Sequence, residues 1–176
     1  MNQALILQGI SGSGKSTYVE NFTKQTIQDF YQNRRTGFPT IKSFSADNFF
    51  TKDGIYKYDK TKQSEAHAEC LRDYIRFLFD TWVEDDYDRI AIVDNTNCTY
   101  NEMSAYIQIA KAYDFEPKVI TFVTDPKIHG VRNIHNVPQE VIEIMQSKIN
   151  NCIVPHYIKR VFVNAEDKDN DSFLSR

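Results

Sequence analysis

At 176 residues, 41% hydrophobic and 26% charged, the chain has the length of one domain with a sizeable core, and two full domains would be cramped. With 6 glycines and 5 prolines it is neither collagen-like nor low-complexity, and its apolar content excludes a disordered chain. A formal net charge of −3 excludes a surface that holds nucleic acid by counterion release over its whole face, so any such contact is local.

The apolar runs, such as Ile90–Val93 and Val119–Val123, are strand-sized and far below the roughly 18 residues of a membrane-spanning helix. The opening MNQALILQGISGSGKS runs from an apolar stretch straight into a glycine-rich motif and does not read as a signal peptide. Cys70, Cys98 and Cys152 are odd in number and widely spaced, which fits a reducing cytosol and a cytoplasmic location.

In chain order, Ala4–Gln8 reads as a short buried strand, followed by a glycine loop and a helix from Lys15 to about Phe30 with Tyr18, Val19, Phe22, Thr26 and Phe30 near helical spacing. Ile41–Ser45 is a second strand ending in Ala46-Asp47-Asn48, after which Thr51–Lys60 is a polar loop around Asp53-Gly54. Ser64–Asp80 is a helix with Ala68, Leu71, Ile75 and Leu78 in register, and Ile90–Val93 is a strand ending in Asp94-Asn95-Thr96-Asn97. Thr99–Tyr113 is a helix and Lys118–Val123 a strand. A polar, basic segment of about 125–137 precedes a helix that begins at Pro138 and presents Val141, Ile142, Met145 and Ile149 on one face. Tyr157–Val163 is a last strand, and about 164–176 is an acidic tail. The alternation predicts an α/β fold with a mostly parallel sheet and no internal repeat.

Gly9-Ile10-Ser11-Gly12-Ser13-Gly14-Lys15-Ser16 fits G-x-x-x-x-G-K-[ST] in full, between a predicted strand and a predicted helix. The pattern predicts a P-loop for a nucleoside triphosphate. Gly9, Gly12 and Gly14 let the backbone N–H groups curl round the phosphates, Ser11 and Ser13 fill the nucleotide-binding loop, and Thr17 follows it. Lys15 reaches the β/γ-phosphates and the Ser16 hydroxyl ligates Mg2+.

Asp47, at the end of the strand that follows the P-loop helix, is read either as a general base or as a helix N-cap. Asp94, ending the most apolar strand, is either a Walker-B-type carboxylate on the metal or a turn residue, and the DNTN stretch also admits a register with Asn95 in that place. Asn95, Thr96 and Asn97 are candidates for hydrogen bonds to phosphate or acceptor, or for Asx turns. Arg132 is a lid arginine or a surface arginine, with Lys127, His129 and His135 in the same segment. His67 reads as a buried or rim histidine of its helix or, as the alternative, a catalytic one. Asn33-Arg34-Arg35 and the 129–135 segment are local basic clusters, or plain solvated surface.

Taken together, SGSGKST, FSADNFF, IVDNTN and RNIHNVPQEVIEIM resemble the polynucleotide-kinase-like branch of the P-loop kinases over about residues 4–149. Within it, DNFFTKDGIYKYD, AHAEC, VDNTN and NEMSAY are most similar to the small P-loop proteins related to the NEDD4-binding protein 2 group, which also occur in phages. The chain is read as a single domain over 1–176, and the resemblance implies the P-loop kinase fold with a small basic lid, use of ATP and Mg2+, Asp47 as general base and Arg132 as lid arginine.

Two departures from the phage polynucleotide 5′-kinase pattern concern the acceptor. Phe50, with Phe49 beside it, stands where that enzyme has an arginine three residues after the base, and His135 and Asn136 stand where its lid has a second arginine. Phe49 and Phe50 suit stacking on a base, and Asn95, Asn97 and His135 complete the candidate acceptor contacts. The expected activity is ATP-dependent transfer of the γ-phosphoryl group to a hydroxyl, foremost the 5′-OH of DNA or RNA. The alternatives are a hydroxymethylated base, a nucleoside or small metabolite as acceptor, and a nucleotide-dependent binding module or switch.

Overall fold

The computed structural model describes residues 2–33, 39–80, 88–129 and 137–164. The strands are β1 (Gln3–Gln8), β2 (Thr40–Phe44), β3 (Thr51–Lys52), β4 (Ile55–Tyr56), β5 (Arg89–Val93), β6 (Glu116–Val123) and β7 (Lys159–Asn164). The helices are α1 (Lys15–Gln32), α2 (Gln63–Asp80), α3 (Tyr100–Ala112), the single turn α4 (Pro126–His129) and α5 (Gln139–Asn150). Five strands form one sheet in the order β2-β5-β1-β6-β7, every pair parallel.

Register places the functional loops on one edge. Phe44 pairs with Val93, Val93 with Ile6, and Ile6 with Val119. The chain therefore leaves β2 towards Asp47, β5 at Asp94 and β1 towards the P-loop on the same side, where open α/β sheets bind ligands. The Asp94 N–H donates to the Phe44 carbonyl at 2.8 Å, holding the first two exits together.

β1 is buried on both faces, as a central parallel strand must be. Ala4 and Ile6 pack with Val93, Val119 and residues of α2 and α3, whereas Leu5 and Leu7 pack with Ile92, Ile120 and Phe22 of α1. α5 closes a third apolar group through Ile142 and Ile149 against Ile10 and Cys98, at the root of the P-loop. Burying such side chains contributes about 1.5–3 kcal/mol each.

Several elements differ from the expectation. The stripe that α2 buries is Ala66, Cys70, Tyr74 and Leu78, a run of four-residue steps, while Ala68 faces solvent and His67 is exposed. Tyr74 occupies the centre, wholly buried, its ring edge-on to Phe44 and Tyr106 and its hydroxyl donating to the Tyr106 carbonyl at 3.1 Å. On α5, Val141 is exposed and only Ile142 and Ile149 are fully sequestered. β6 starts two residues early, at Glu116, taking in Pro117 just before β7 begins its pairing at Lys118. The Thr51–Lys60 loop contains an antiparallel hairpin, with Asp53 and Gly54 both at positive φ (52° and 77°) between β3 and β4. Two consecutive left-handed residues are what a type I′ turn requires, and Asp-Gly supplies them cheaply. No described helix is long and apolar enough to cross a membrane.

Candidate active site

The P-loop leaves β1 at Gln8 and enters α1 at Lys15, with Gly14 capping the helix at φ +86°. That left-handed value costs a side chain about 1–2 kcal/mol. Gly9 is required for a different reason: a Cβ there would stand 2.6 Å from Ser13 Oγ and 3.0 Å from Phe122 Cβ. The Gly9 N–H donates to the Thr96 carbonyl at 3.0 Å, tying the loop to the tip of β5. Lys15 is buried, and its ammonium donates to the Gly9 carbonyl at 3.0 Å and the Ile10 carbonyl at 2.8 Å, with Ser13 Oγ at 3.5 Å. Burial pushes its pKa below the ordinary lysine value, against the pull of Asp94, Cys98 and Asp47.

Ser16, one residue on in α1, donates its hydroxyl to Asp94 Oδ2 at 2.9 Å. Burial raises the Asp94 carboxyl above its ordinary range, Lys15 and Ser16 hold it down, and Asp47 adds to the rise. A hydroxyl and a carboxylate meeting at the P-loop suit a hard divalent cation. Mg2+ characteristically takes one or two protein oxygens and completes its shell with phosphate and water. Among the described residues no cluster of three or more His, Cys, Asp or Glu is placed to cage a metal.

Asp47 lies in a 3-10 turn, Ala46–Phe50, whose N-cap is Ser45: the Ser45 hydroxyl accepts from the Asp47 N–H at 3.3 Å. The Asp47 carboxylate is thus outside the cap and exposed, with one oxygen accepting from the Tyr56 hydroxyl at 3.2 Å. Burial, then the Asp47 carboxylate, lift the Tyr56 phenol to about 12, so it remains a donor. Lys15 and Asp94 feel each other's charge, and both feel that of Asp47.

The remaining candidates sort by burial. Thr17 and Gly14 are exposed, Ser11 and Gly12 half-buried, and Ser13 buried. Asn95 is buried. Its Oδ1 accepts from the Ala46 N–H at 2.9 Å and its Nδ2 faces Cys70 Sγ at 3.6 Å, so it props the Asp47 turn from beneath. Asn97, at φ +47°, donates to the Leu7 carbonyl at 2.7 Å, and its own carbonyl accepts from Gln8 Nε2 at 3.0 Å. It clamps β5 to β1. Phe50 is buried with its ring 5.0 Å from Tyr58 and 5.2 Å from Phe49; of the pair, Phe49 is the half-buried one. Arg34, Arg35, Arg132, His135 and Asn136 lie outside the described residues.

Two residues join the site that the sequence pattern did not single out. Tyr56 reaches Asp47 from β4, and the Asp53-Gly54 pair was its available signal, being a strong short-range mark of a hairpin. Gln8 is wholly buried at the P-loop root, its Oε1 accepting from Thr121 Oγ1 at 2.9 Å and Arg160 Nη2 at 2.8 Å. No local pattern marks it.

The AAA domain family AAA_33 matches residues 5–150. The chain belongs to that family. Among solved structures, this AAA_33 domain is similar to Chaetomium thermophilum Kti12 in complex with ADP-AlF3 at 12% identity, with 94% of this chain and 91% of that chain covered and a TM-score of 0.58. A sugar kinase from Janibacter sp. HTCC2649 is 11% identical over 95% of this chain and 87% of its own, TM-score 0.52. A gluconokinase from Sinorhizobium meliloti 1021 is 12% identical over 94% and 83%, TM-score 0.50. At these identities the likeness is one of fold, and it is the P-loop kinase fold: a central parallel sheet flanked by helices with the phosphate loop after its first strand.

Proposed function

We propose that this AAA_33 domain is an ATP-dependent kinase that transfers the γ-phosphoryl group to a hydroxyl, foremost the 5′-OH of a DNA or RNA strand. The observation that carries the reading is the convergence of Lys15, the Ser16–Asp94 pair and Asp47 at the exits of β1, β5 and β2. Of the two carboxylates, Asp47 is the exposed one and stands apart from the metal-side pair, as a base for an incoming hydroxyl must.

Ser16 and Asp94 would hold Mg2+, whose chemistry there is to neutralise charge on the phosphates. Lys15 binds the β/γ-phosphates, exchanging two carbonyl partners for stronger charge-assisted bonds. The acceptor oxygen forms a bond to the γ-phosphorus while the bond from that phosphorus to the β,γ-bridging oxygen breaks, and ADP leaves. The acceptor's proton passes to the Asp47 carboxylate, and Tyr56 orients that carboxylate by holding one oxygen. Arg132 would serve as the lid arginine, neutralising charge that builds on the transferred phosphoryl group.

Label transfer from γ-labelled ATP and magnesium to a single-stranded oligonucleotide ending in 5′-OH tests the reading, with Lys15→Ala as the blank. Label on the strand with wild type and none with the variant supports it. ATP consumption with no labelled strand overturns the 5′-end assignment in favour of a hydroxymethylated base, a nucleoside or a small metabolite as acceptor. Slow hydrolysis with no transferable product favours a nucleotide-dependent switch.

A further inference from the structure

The segment 51–62, TKDGIYKYDKTK, carries four lysines, Lys52, Lys57, Lys60 and Lys62, against Asp53 and Asp59, inside a chain whose net charge is −3. All four lysines are exposed. Asp59 is exposed as well and caps the 3-10 turn Lys60–Lys62, its Oδ1 accepting from the Thr61 N–H at 2.9 Å and the Thr61 hydroxyl at 2.6 Å, and Asp53 sits in the hairpin turn. Between the lysines stand Ile55, 59% exposed, and Tyr58, 52% exposed.

This ribbon is anchored to the segment that bears Asp47. The Lys57 N–H donates to the Phe50 carbonyl at 2.9 Å, the Tyr58 ring lies 5.0 Å from Phe50, and the Tyr56 hydroxyl reaches the Asp47 carboxylate. Lysines interleaved with an exposed aromatic ring are the chemistry that tracks a single strand, the cations meeting phosphates and the ring meeting a base face.

We propose that the basic, aromatic segment of residues 51–62, the β3–β4 hairpin and the 3-10 turn that follows it, is the docking surface for the single-stranded end of a nucleic-acid acceptor, leading its terminal hydroxyl to Asp47. The proposal rests on the kinase reading above and adds where the strand lies. Lysines spread along the ribbon meet successive phosphates, and Tyr58 stacks on a base. The contact is to phosphate and ring, so DNA and RNA strands of the same sequence bind alike.

The test is fluorescence anisotropy of a 3′-labelled single-stranded oligonucleotide, DNA and RNA in separate arms, titrated with the full chain over a range of salt. The proteins compared are wild type, the quadruple variant K52Q/K57Q/K60Q/K62Q, and Tyr58→Ala. The four lysines are exposed, whereas the Tyr58 ring also packs on Phe50, so a circular-dichroism melt matching wild type is required of each variant, and the lysine variant alone decides the proposal if Tyr58→Ala melts early. We expect the quadruple variant to lose about 10-fold or more in strand affinity. Its slope of log affinity against log salt should flatten by about 2–3, because each phosphate that a lysine neutralises adds roughly 0.7 to that slope. Tyr58→Ala loses about 10-fold with the slope unchanged. In the transfer assay, KM for the strand rises while KM for ATP stays put. Equal affinity and equal slope for wild type and the quadruple variant, or no strand binding by wild type, would overturn the proposal. Strand binding that depends on the lysines without any phosphoryl transfer would overturn the kinase reading and leave the docking surface standing.

Discussion

The Ser16 hydroxyl donates to Asp94 Oδ2 at 2.9 Å, joining residues 78 positions apart across the tip of the sheet. The pair sets the first prediction. In the proposed role Asp94 is an anionic ligand of the metal, so with Asp94→Asn the gain in nucleotide affinity on adding magnesium should fall by about 10–100-fold, the range seen when metal-site groups are removed. Calorimetric titration with ADP, with and without magnesium, reads it directly; an unchanged magnesium effect would remove Asp94 from the metal.

The same substitution should stabilise the fold. An acid whose carboxyl is raised by burial is bound to its proton more tightly in the folded chain, so its contribution is intact below the unfolded value of about 3.9 and declines as pH rises through the folded one. At pH 7 the ionised Asp94 therefore opposes folding. Asp94→Asn should raise Tm at pH 7, with the difference from wild type narrowing towards pH 4, about 2–4 °C accompanying each kcal/mol in a chain of this size. A lower Tm at pH 7 would show that attraction to Lys15 outweighs burial.

Gly9 and Gly14 should fail differently when changed to alanine. At Gly9 the new Cβ meets Ser13 Oγ and Phe122 Cβ, overpacking that costs about 1–3 kcal/mol and lowers Tm. At Gly14 nothing lies within 4 Å, and the cost is the left-handed backbone, about 1–2 kcal/mol, concentrated on the cap that presents Lys15. Thermal melts of the two variants, with ADP binding in parallel, separate clash from strain.

Much of this was readable in the sequence because the P-loop motif fixes both a strand end and a helix start, and because β1, β5 and β6 are continuous apolar runs. Spacing alone also put Asp47 and Asp94 at strand exits. What it did not give was direction. Asn95 and Asn97 follow a strand tip like any polar turn residues, and only the tertiary fold reveals that both point inward to backbone partners. Phe49 and Phe50 are chemically identical, and the 3-10 turn decides which is buried. β3 and β4, two residues each, are too short for alternation to register, so the Asp47–Tyr56 pair was visible only through the turn between them.

Asn97→Ala should cost about 1–3 kcal/mol, since the buried Leu7 carbonyl is deprived of its 2.7 Å donor, and alanine fits poorly at φ +47°. The same change frees β5 from β1 at the P-loop root, so KM for ATP should rise as Tm falls. Denaturant unfolding with a parallel kinetic assay checks both; an unchanged unfolding midpoint would remove Asn97 from the clamp.

Tyr56→Phe keeps the ring beside Phe50 and deletes only the hydroxyl that meets Asp47. The expected outcome is a kcat lower by about 10-fold, the scale of one hydrogen bond to a charged group, with KM for ATP and the melting curve unchanged. Steady-state kinetics decides it, and an unaltered kcat would leave Tyr56 without a part in positioning the carboxylate.

Asp47 is the centre of the proposed mechanism. In single-turnover transfer from ATP to a 5′-OH oligonucleotide at saturating concentrations of both, Asp47→Asn should slow the chemical step by about 100-fold or more, the usual contribution of a positioned general base. Nucleotide affinity should stay within a few-fold of wild type, because Lys15, Ser16 and Asp94 are untouched. A variant that transfers phosphate at the wild-type rate would contradict the assignment of the base and, with it, the mechanism.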